Sequence, residues 1–293
     1  MTPWIDQQIV TADGLRLHVA EYPALGAERG PPILCLHGLT RNSKDFGPVA
    51  EAIAGNGFRT LAMDVRGRGR SERASDPQSY RPAVYAGDVV TALDQLGIAK
   101  VAILGTSMGG LIAMALAGMA RARLAGVALN DIGPELAPAG LARIKEDVER
   151  AIAWGRAIDL AEAADRARSI NQSAFPNADR AFWVDFARRT FRQRDDGRWE
   201  LDFDPAILQP ILAADAAIPT PNMWGLFDAF AGLPLAAIRG SLSNLLTAQT
   251  LSAMRARRPD LIFAEVAEIG HAPLLTEPAA WVAIEQWLGR LVV

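Results

Sequence analysis

The segment Val101-Ala102-Ile103-Leu104-Gly105-Thr106-Ser107-Met108-Gly109 constrains the fold of this chain more than any other. An apolar run of strand character leads straight into a serine with a glycine two residues away on either side. A serine held on so sharp a strand-to-helix turn has strained backbone angles, and a side chain at either flanking position would obstruct the passing strand and helix. The residues from Gly110 to Met119 are rich in Ala, Leu and Met and predict a helix. Its first amides would point to where negative charge develops during attack on a carbonyl. Ser107 is therefore a candidate nucleophile, and the surrounding pattern has to support it.

Strand and helix patterns alternate through the first half of the chain, which predicts βαβ units and a mostly parallel sheet. An opening hairpin is expected from Gln8 to Thr11 and Leu15 to Ala20, with Asp13-Gly14 as a two-residue turn. Buried strands follow at Ile33 to Leu36 and Arg59 to Met63, and helices at about Lys44 to Ala54 and Ala83 to Leu96. After the serine strand and its helix, a further strand runs from Leu124 to Leu129. Three strands end in polar clusters, namely His37-Gly38, Asp64 and Asn130-Asp131. Ligands of parallel sheets bind beyond the carboxyl ends of the strands, so these clusters and Ser107 are expected on one rim.

Beyond Gly133-Pro134 the texture changes. From Glu135 to about Leu233 the sequence is arginine-rich and helical, without a convincing strand, and it holds Trp154, Trp183, Trp199 and Trp224. It reads as a helical cap at residues 134–233 inserted into a core made of residues 1–133 and 234–293. The sheet resumes at Leu235 to Arg239 and Leu261 to Val266 and closes with an amphipathic helix from Pro278 to Leu288.

Composition narrows the partners. The chain has 293 residues, of which 50% are hydrophobic and 22% charged, with a net charge of −3. That balance points to neither a nucleic-acid surface nor an acidic tail, and leaves a small-molecule substrate as the expected partner. No stretch approaches the length of a membrane span, and no leader pattern opens the chain, so a cytoplasmic protein is expected. The single cysteine, Cys35, lies within Ile33-Leu34-Cys35-Leu36 and reads as a small core residue.

A serine hydroxyl needs a base, and histidine is the usual one near neutral pH. The chain offers three. His18 falls in the opening hairpin, and His37 begins a loop whose backbone is of more use than its imidazole. His271, in Ile269-Gly270-His271-Ala272-Pro273 after the last strand, is the expected base.

Together the His37-Gly38 loop, the run Asp64-Val65-Arg66-Gly67-Arg68-Gly69-Arg70-Ser71, the Gly105–Gly109 elbow, the helical insertion and Gly270-His271 resemble the α/β-hydrolase fold superfamily, in its lid-bearing serine esterase and epoxide-hydrolase-like group. The resemblance spans nearly the whole chain. It implies the order serine, acid, histidine, and an oxyanion hole from the backbone amides of Leu39 and Met108. It implies neither a metal nor an organic cofactor. Relatives that open epoxides carry aspartate at the elbow, so Ser107 implies an acyl-enzyme instead.

The acid departs from the commonest pattern of that family. Many relatives carry it on the loop after the cap, in a segment like Arg239-Gly240-Ser241-Leu242-Ser243-Asn244-Leu245-Leu246, and Asn244 stands where the aspartate is expected. An asparagine cannot supply the charge that stabilises an imidazolium. Other members take the acid from the strand before the cap, which assigns Asp131 here. Arg41 and Arg143 are candidates for holding a substrate carboxylate, and Trp224 for the pocket wall, although cap tryptophans as a group read as core.

The expectation is a serine hydrolase of a small ester, lactone or related acyl compound. Hydrolysis of a carbon–carbon bond or an amide by the same residues, and a ligand receptor of this fold with weak catalysis, remain open.

Overall fold

The computed structural model describes residues 4–154, 158–212 and 222–292. Its first half alternates strands and helices: β1 (Ile5–Val10), β2 (Arg16–Tyr22), β3 (Ile33–Leu36), α1 (Gly47–Gly55), β4 (Thr60–Met63), α2 (Pro82–Gln95), β5 (Val101–Thr106), α3 (Met108–Ala120) and β6 (Leu124–Asn130). Between β6 and the next strand of the sheet come α4 (Pro138–Ala153), α5 (Leu160–Asn171), α6 (Arg180–Thr190), the short strands β7 (Phe191–Gln193) and β8 (Trp199–Leu201), α7 (Gln209–Leu212) and α8 (Trp224–Asp228). The chain then closes with β9 (Leu235–Gly240), α9 (Ala248–Arg257), β10 (Ile262–Val266) and α10 (Pro278–Gly289).

Eight strands form one sheet in the order β1-β2-β4-β3-β5-β6-β9-β10. The pairs β1/β2 and β2/β4 are antiparallel and the remaining pairs are parallel. Successive side chains of a strand point to opposite faces, and the buried residues divide accordingly. Leu34, Leu36, Ile103 and Leu129 meet Val89 and Leu93 of α2 and Ile112 and Leu116 of α3 on one face. Ile33, Cys35, Leu104 and Ile238 meet Val49 and Ile53 of α1 and Ile284 and Trp287 of α10 on the other. Each such aliphatic side chain contributes about 1.5–3 kcal/mol when fully buried, so the continuous apolar runs seen in the sequence, whose side chains point alternately to the two faces, are what hold the two helical layers to the sheet. Cys35 is fully buried in the second layer, where burial pushes its thiol pKa up.

The inserted segment has its own small core. Phe175, Trp183, Phe186 and Phe191 cluster with Ala163, Ala164 and Ala167. The small alanine face of α5 lets α6 approach closely, and the rings of Phe182, Trp183 and Phe186 fill the gap in edge-on and stacked arrangements. No helix among the described residues is long and apolar enough to cross a membrane.

Several local expectations are corrected. The hairpin turn is not of two residues: Thr11 and Leu15 close it through a 2.9 Å amide bond, and Gly14 adopts φ +85° at its end. This is the three-residue loop with a left-handed glycine, the next most common hairpin connection after two-residue turns. Residues Ser43–Phe46 form a 3₁₀ turn before α1 begins. The cap segment does contain strands, since β7 and β8 pair antiparallel from Phe191↔Leu201 to Gln193↔Trp199. Helix α9, absent from the sequence reading, buries only Thr250, Leu251 and Met254 and carries a largely polar sequence.

Candidate active site

Ser107 sits between β5 and α3 with φ 51° and ψ −113°, a conformation that L-residues rarely adopt. The flanking glycines are required by close approach. A Cβ on Gly105 would lie 2.6 Å from the backbone of Gly109, and a Cβ on Gly109 would lie 2.0 Å from the Leu36 carbonyl oxygen of β3. The Ser107 amide donates to the Asn130 carbonyl of β6 at 2.9 Å, which fixes the turn against the neighbouring strand.

His271 is carried on the loop after β10. Its Nδ1–H donates to Asp131 Oδ2 at 2.8 Å, and its Nε2 accepts the Ser107 hydroxyl at 2.8 Å. The carboxylate fixes the tautomer, because only a protonated Nδ1 can donate to it, and Nε2 is then free to accept. Asp131 is fully buried just beyond β6, with φ 54°. Such a charge needs donors, and it has three: His271, the Gly240 amide at 2.9 Å to Oδ1 and the Ser243 hydroxyl at 2.6 Å to Oδ2. Asn130 ties the two loops together, donating through Nδ2 to Thr106 Oγ1 at 3.0 Å and to the Pro273 carbonyl at 2.8 Å. A hydroxyl, an imidazole and a buried carboxylate in this series can transfer a proton from serine to histidine as the serine attacks an electrophile.

Residues Ser107 and His271 face a cavity of about 380 Å³. The loop from His37 to Arg41 forms part of its wall, and Ile144, Val148, Trp154, Ile170, Phe175 and Phe186 of the inserted segment form another part. Leu39 lies on this wall, and Met108 opens α3. Among the described residues, neither backbone amide donates to a protein acceptor. Arg68, only 1% exposed, spans both of these residues. Its Nε donates to the Leu39 carbonyl at 2.9 Å and its Nη2 lies 3.6 Å from Met108 Sδ.

The remaining candidates divide. Arg41 lines the cavity, but its guanidinium is held by Asp45 through two bonds, donates to Thr190 and stacks on Phe186. Arg143 also lines the cavity and is half-exposed, with Nε 3.4 Å from Asp147, a longer and weaker contact. Burial raises the pKa of Asp147 despite the neighbouring Arg143 and Arg150. Trp224 is not a wall residue. It is buried beside Phe227 in the main core and donates its indole N–H to Glu135 Oε1 at 2.6 Å. An indole offers more to a core contact with one polar edge than to a pocket already walled by other aromatics. Asn244 lines the cavity and has no hydrogen bond to His271 among the described residues.

The other two histidines have settled partners. His37 is buried, which lowers its pKa to about 4. Its neutral ring donates from Nδ1 to the Gly38 carbonyl at 2.7 Å and accepts the Val65 amide at 3.0 Å. His18 bonds to Asp64 and Asp6, both at 2.9 Å. Asp64, expected on the same rim as Ser107, instead accepts from His18, Ser43 and Arg70 and lies away from the cavity.

Ser243 and Arg68 were not singled out from the sequence. Ser243 had one available signal, its adjacency to Asn244 in the loop where relatives carry the acid. Arg68 stood within the glycine-arginine run, where nothing distinguished it from Arg66 or Arg70.

Comparison with known proteins agrees with this architecture. Residues 31–278 match the family model of the alpha/beta hydrolase fold. Over 275 residues the chain is 36% identical to the 3-hydroxybutyrate-oligomer hydrolase of Cupriavidus necator, with 90% of each chain covered. A shorter match, 34% over 121 residues, relates 41% of the chain to 33% of epoxide hydrolase B of Mycobacterium tuberculosis. The crystal structure of an alpha/beta hydrolase from Novosphingobium aromaticivorans superposes with a TM-score of 0.89, at 40% identity over 99% of each chain. With its elbow serine, its mostly parallel eight-stranded sheet and its inserted helices, the chain belongs to the α/β-hydrolase family and is a hydrolase of that fold.

Proposed function

We propose that this protein is a serine esterase that cleaves ester bonds in short hydroxy-acid oligomers. The observation that carries the reading is the unbroken series from Ser107 through His271 to buried Asp131, with 2.8 Å at each link, on the floor of a cavity walled largely by apolar side chains. Likeness along nearly the whole chain to a 3-hydroxybutyrate-oligomer hydrolase supports the substrate class. The match to epoxide hydrolases covers less than half of the chain, and position 107 carries a serine, which favours ester over epoxide chemistry.

In this account the Ser107 oxygen attacks the ester carbonyl while His271 takes its proton. The carbonyl oxygen, now negative, is received by the amides of Leu39 and Met108, with the N-terminus of α3 adding favourable field. Collapse breaks the ester C–O bond. His271 returns the proton to the departing hydroxy acid, and the acyl group stays on Ser107. A water gives its proton to His271 and attacks the acyl carbon, releasing the second acid and restoring the serine. Asp131 keeps the imidazole oriented and stabilises its charged form throughout.

Residues 134–233 serve as the lid in this reading, and excluding bulk water strengthens each of these electrostatic interactions. Arg143, whose contact with Asp147 is long at 3.4 Å, is the less tightly held cation for the carboxylate end of an oligomer, since Arg41 is occupied by Asp45 and Thr190. A small dissolved substrate also agrees with the cytoplasmic location expected from the sequence. The test is incubation with linear 3-hydroxybutyrate dimer and trimer, with release of monomer followed chromatographically. Release by wild type and none by Ser107→Ala is the expected result. Release by both would end the proposal.

A further inference from the structure

Ser243 occupies an unusual position. Its hydroxyl donates to Asp131 Oδ2, the same oxygen that receives the His271 proton donor. Its own oxygen accepts two backbone amides, from Leu245 at 3.2 Å and Leu246 at 3.3 Å. A hydroxyl whose oxygen is already accepting is a stronger donor, because the bonds polarise one another. The loop itself is braced from behind: buried Arg239 donates to the carbonyls of Leu246 at 2.7 Å and Ser243 at 3.3 Å. The Gly240 amide, at the end of the same strand, holds the other carboxylate oxygen.

We infer that Ser243 is a positioning residue of the esterase site: its hydroxyl, polarised by two loop amides, fixes the Asp131 carboxylate and draws charge from the oxygen that faces His271. The loop after β9, which carries the acid in many relatives, thus acts here as the holder of an acid supplied from β6. The inference rests on the proposed role of Ser107, His271 and Asp131.

The consequence for catalysis follows from charge. With the hydroxyl in place, Oδ2 is shared between two donors, so its field at the imidazole is moderated and its direction fixed. Without it, the carboxylate turns more freely and its full charge faces the Nδ1–H, which favours the protonated ring. Turnover then falls, and a higher pH is needed to free Nε2. The other charged groups around the assembly have partners of their own. On the cavity side Arg41 pairs with Asp45 and Arg143 with Asp147, and behind the loop Arg239 pairs with Glu265. On the loop of His271, Glu277 accepts the Leu274 amide. Ser243 is thus a neutral side chain in direct contact with both the carboxylate and the loop amides.

The experiment is kcat/KM for p-nitrophenyl butyrate from pH 5 to 9, for wild type, Ser243→Ala and Ser243→Cys, with Ser107→Ala alongside. Removing a hydrogen bond to a charged group should lower kcat by about tenfold in Ser243→Ala. The acidic limb of the profile should move upward by about half a pH unit. Ser243→Cys keeps the shape with a weaker donor and should fall between the two, which also covers the case of an alanine variant that fails to fold. A lowered melting temperature with kcat and the acidic limb as in wild type, in whichever variant folds, would overturn the inference and leave the esterase reading standing. Turnover in Ser107→Ala equal to wild type would instead sink that reading, and the inference with it.

Discussion

Two histidines in this molecule make nearly the same contact with an aspartate, and only one of them faces a cavity. His18 Nδ1 lies 2.9 Å from Asp64 Oδ2, and His271 Nδ1 lies 2.8 Å from Asp131 Oδ2. Both carboxylates are buried and both accept backbone amides. The difference is at the second ring nitrogen. Nε2 of His18 meets a second carboxylate, Asp6, which Arg70 also holds at 2.6 Å. Nε2 of His271 meets a hydroxyl on a strained turn at the floor of a cavity. A histidine–aspartate pair is therefore not a catalytic signature in itself. What the free nitrogen faces decides whether the pair only clamps two strands or, as proposed for His271, can serve as a base.

The largest effect expected from breaking this contrast is at the serine. Ser107→Ala should abolish ester hydrolysis, leaving at most residual activity from binding and oxyanion stabilisation, as assayed with p-nitrophenyl butyrate. Asp131→Asn should reduce kcat by about 10⁴-fold while the protein stays folded by circular dichroism, because the amide cannot hold the required tautomer. Adding Asn244→Asp to that variant should not restore turnover, since residue 244 lies on the cavity wall without a bond to His271. Recovery in the double variant would show that the post-β9 loop can still carry the acid.

His18 sharpens the comparison from the other side. Burial opposes its charged form, but the bonds to Asp64 and Asp6 outweigh this and raise its pKa. A histidine raised in the folded state adds stability that is fully present below its unfolded value of about 6.5 and is lost as pH rises through the folded value. His18→Gln should therefore lower the melting temperature by about 3 °C at pH 6 and by less at pH 9, with kcat/KM little changed. An equal loss at both values would mean that charge plays no part in this clamp. The smallest effect is expected at Trp224→Phe, which removes one bond to Glu135 and should cost about 1 kcal/mol in urea unfolding with KM unchanged.

The same contrast explains what was legible in the sequence. The elbow could be read because its requirement is steric and local: two glycines at fixed offsets from Ser107, each excluded from bearing a Cβ by neighbouring backbone. The inner sheet strands could be read because both of their faces are buried, giving continuous apolar runs such as Ile33 to Leu36 and Leu124 to Leu129. His271 stood out by its place after the last strand, and Asp131 by its likeness to family members that carry the acid on the strand before the cap. Strands β7 and β8 could not be read, because three-residue strands bearing Arg192, Gln193 and Glu200 have no period of their own and form only where the cap brings them together. Ser243 was hidden for a similar reason, since its contact with Asp131 joins residues 112 positions apart. Arg41 and Trp224 could be named but not placed, because whether a guanidinium is free or an indole is buried depends on neighbours such as Asp45 and Glu135 that only the fold supplies.

The central claim is that Asp131, acting through His271, makes Ser107 a nucleophile. The most direct measurement is the rate of covalent labelling by a fluorophosphonate, followed by intact mass and by mapping of the modified peptide, in wild type and Asp131→Asn. The account predicts a single adduct on Ser107 in wild type, formed about 10³-fold or more slowly in the variant. Labelling at the same rate in both proteins, or an adduct elsewhere in the chain, would contradict it.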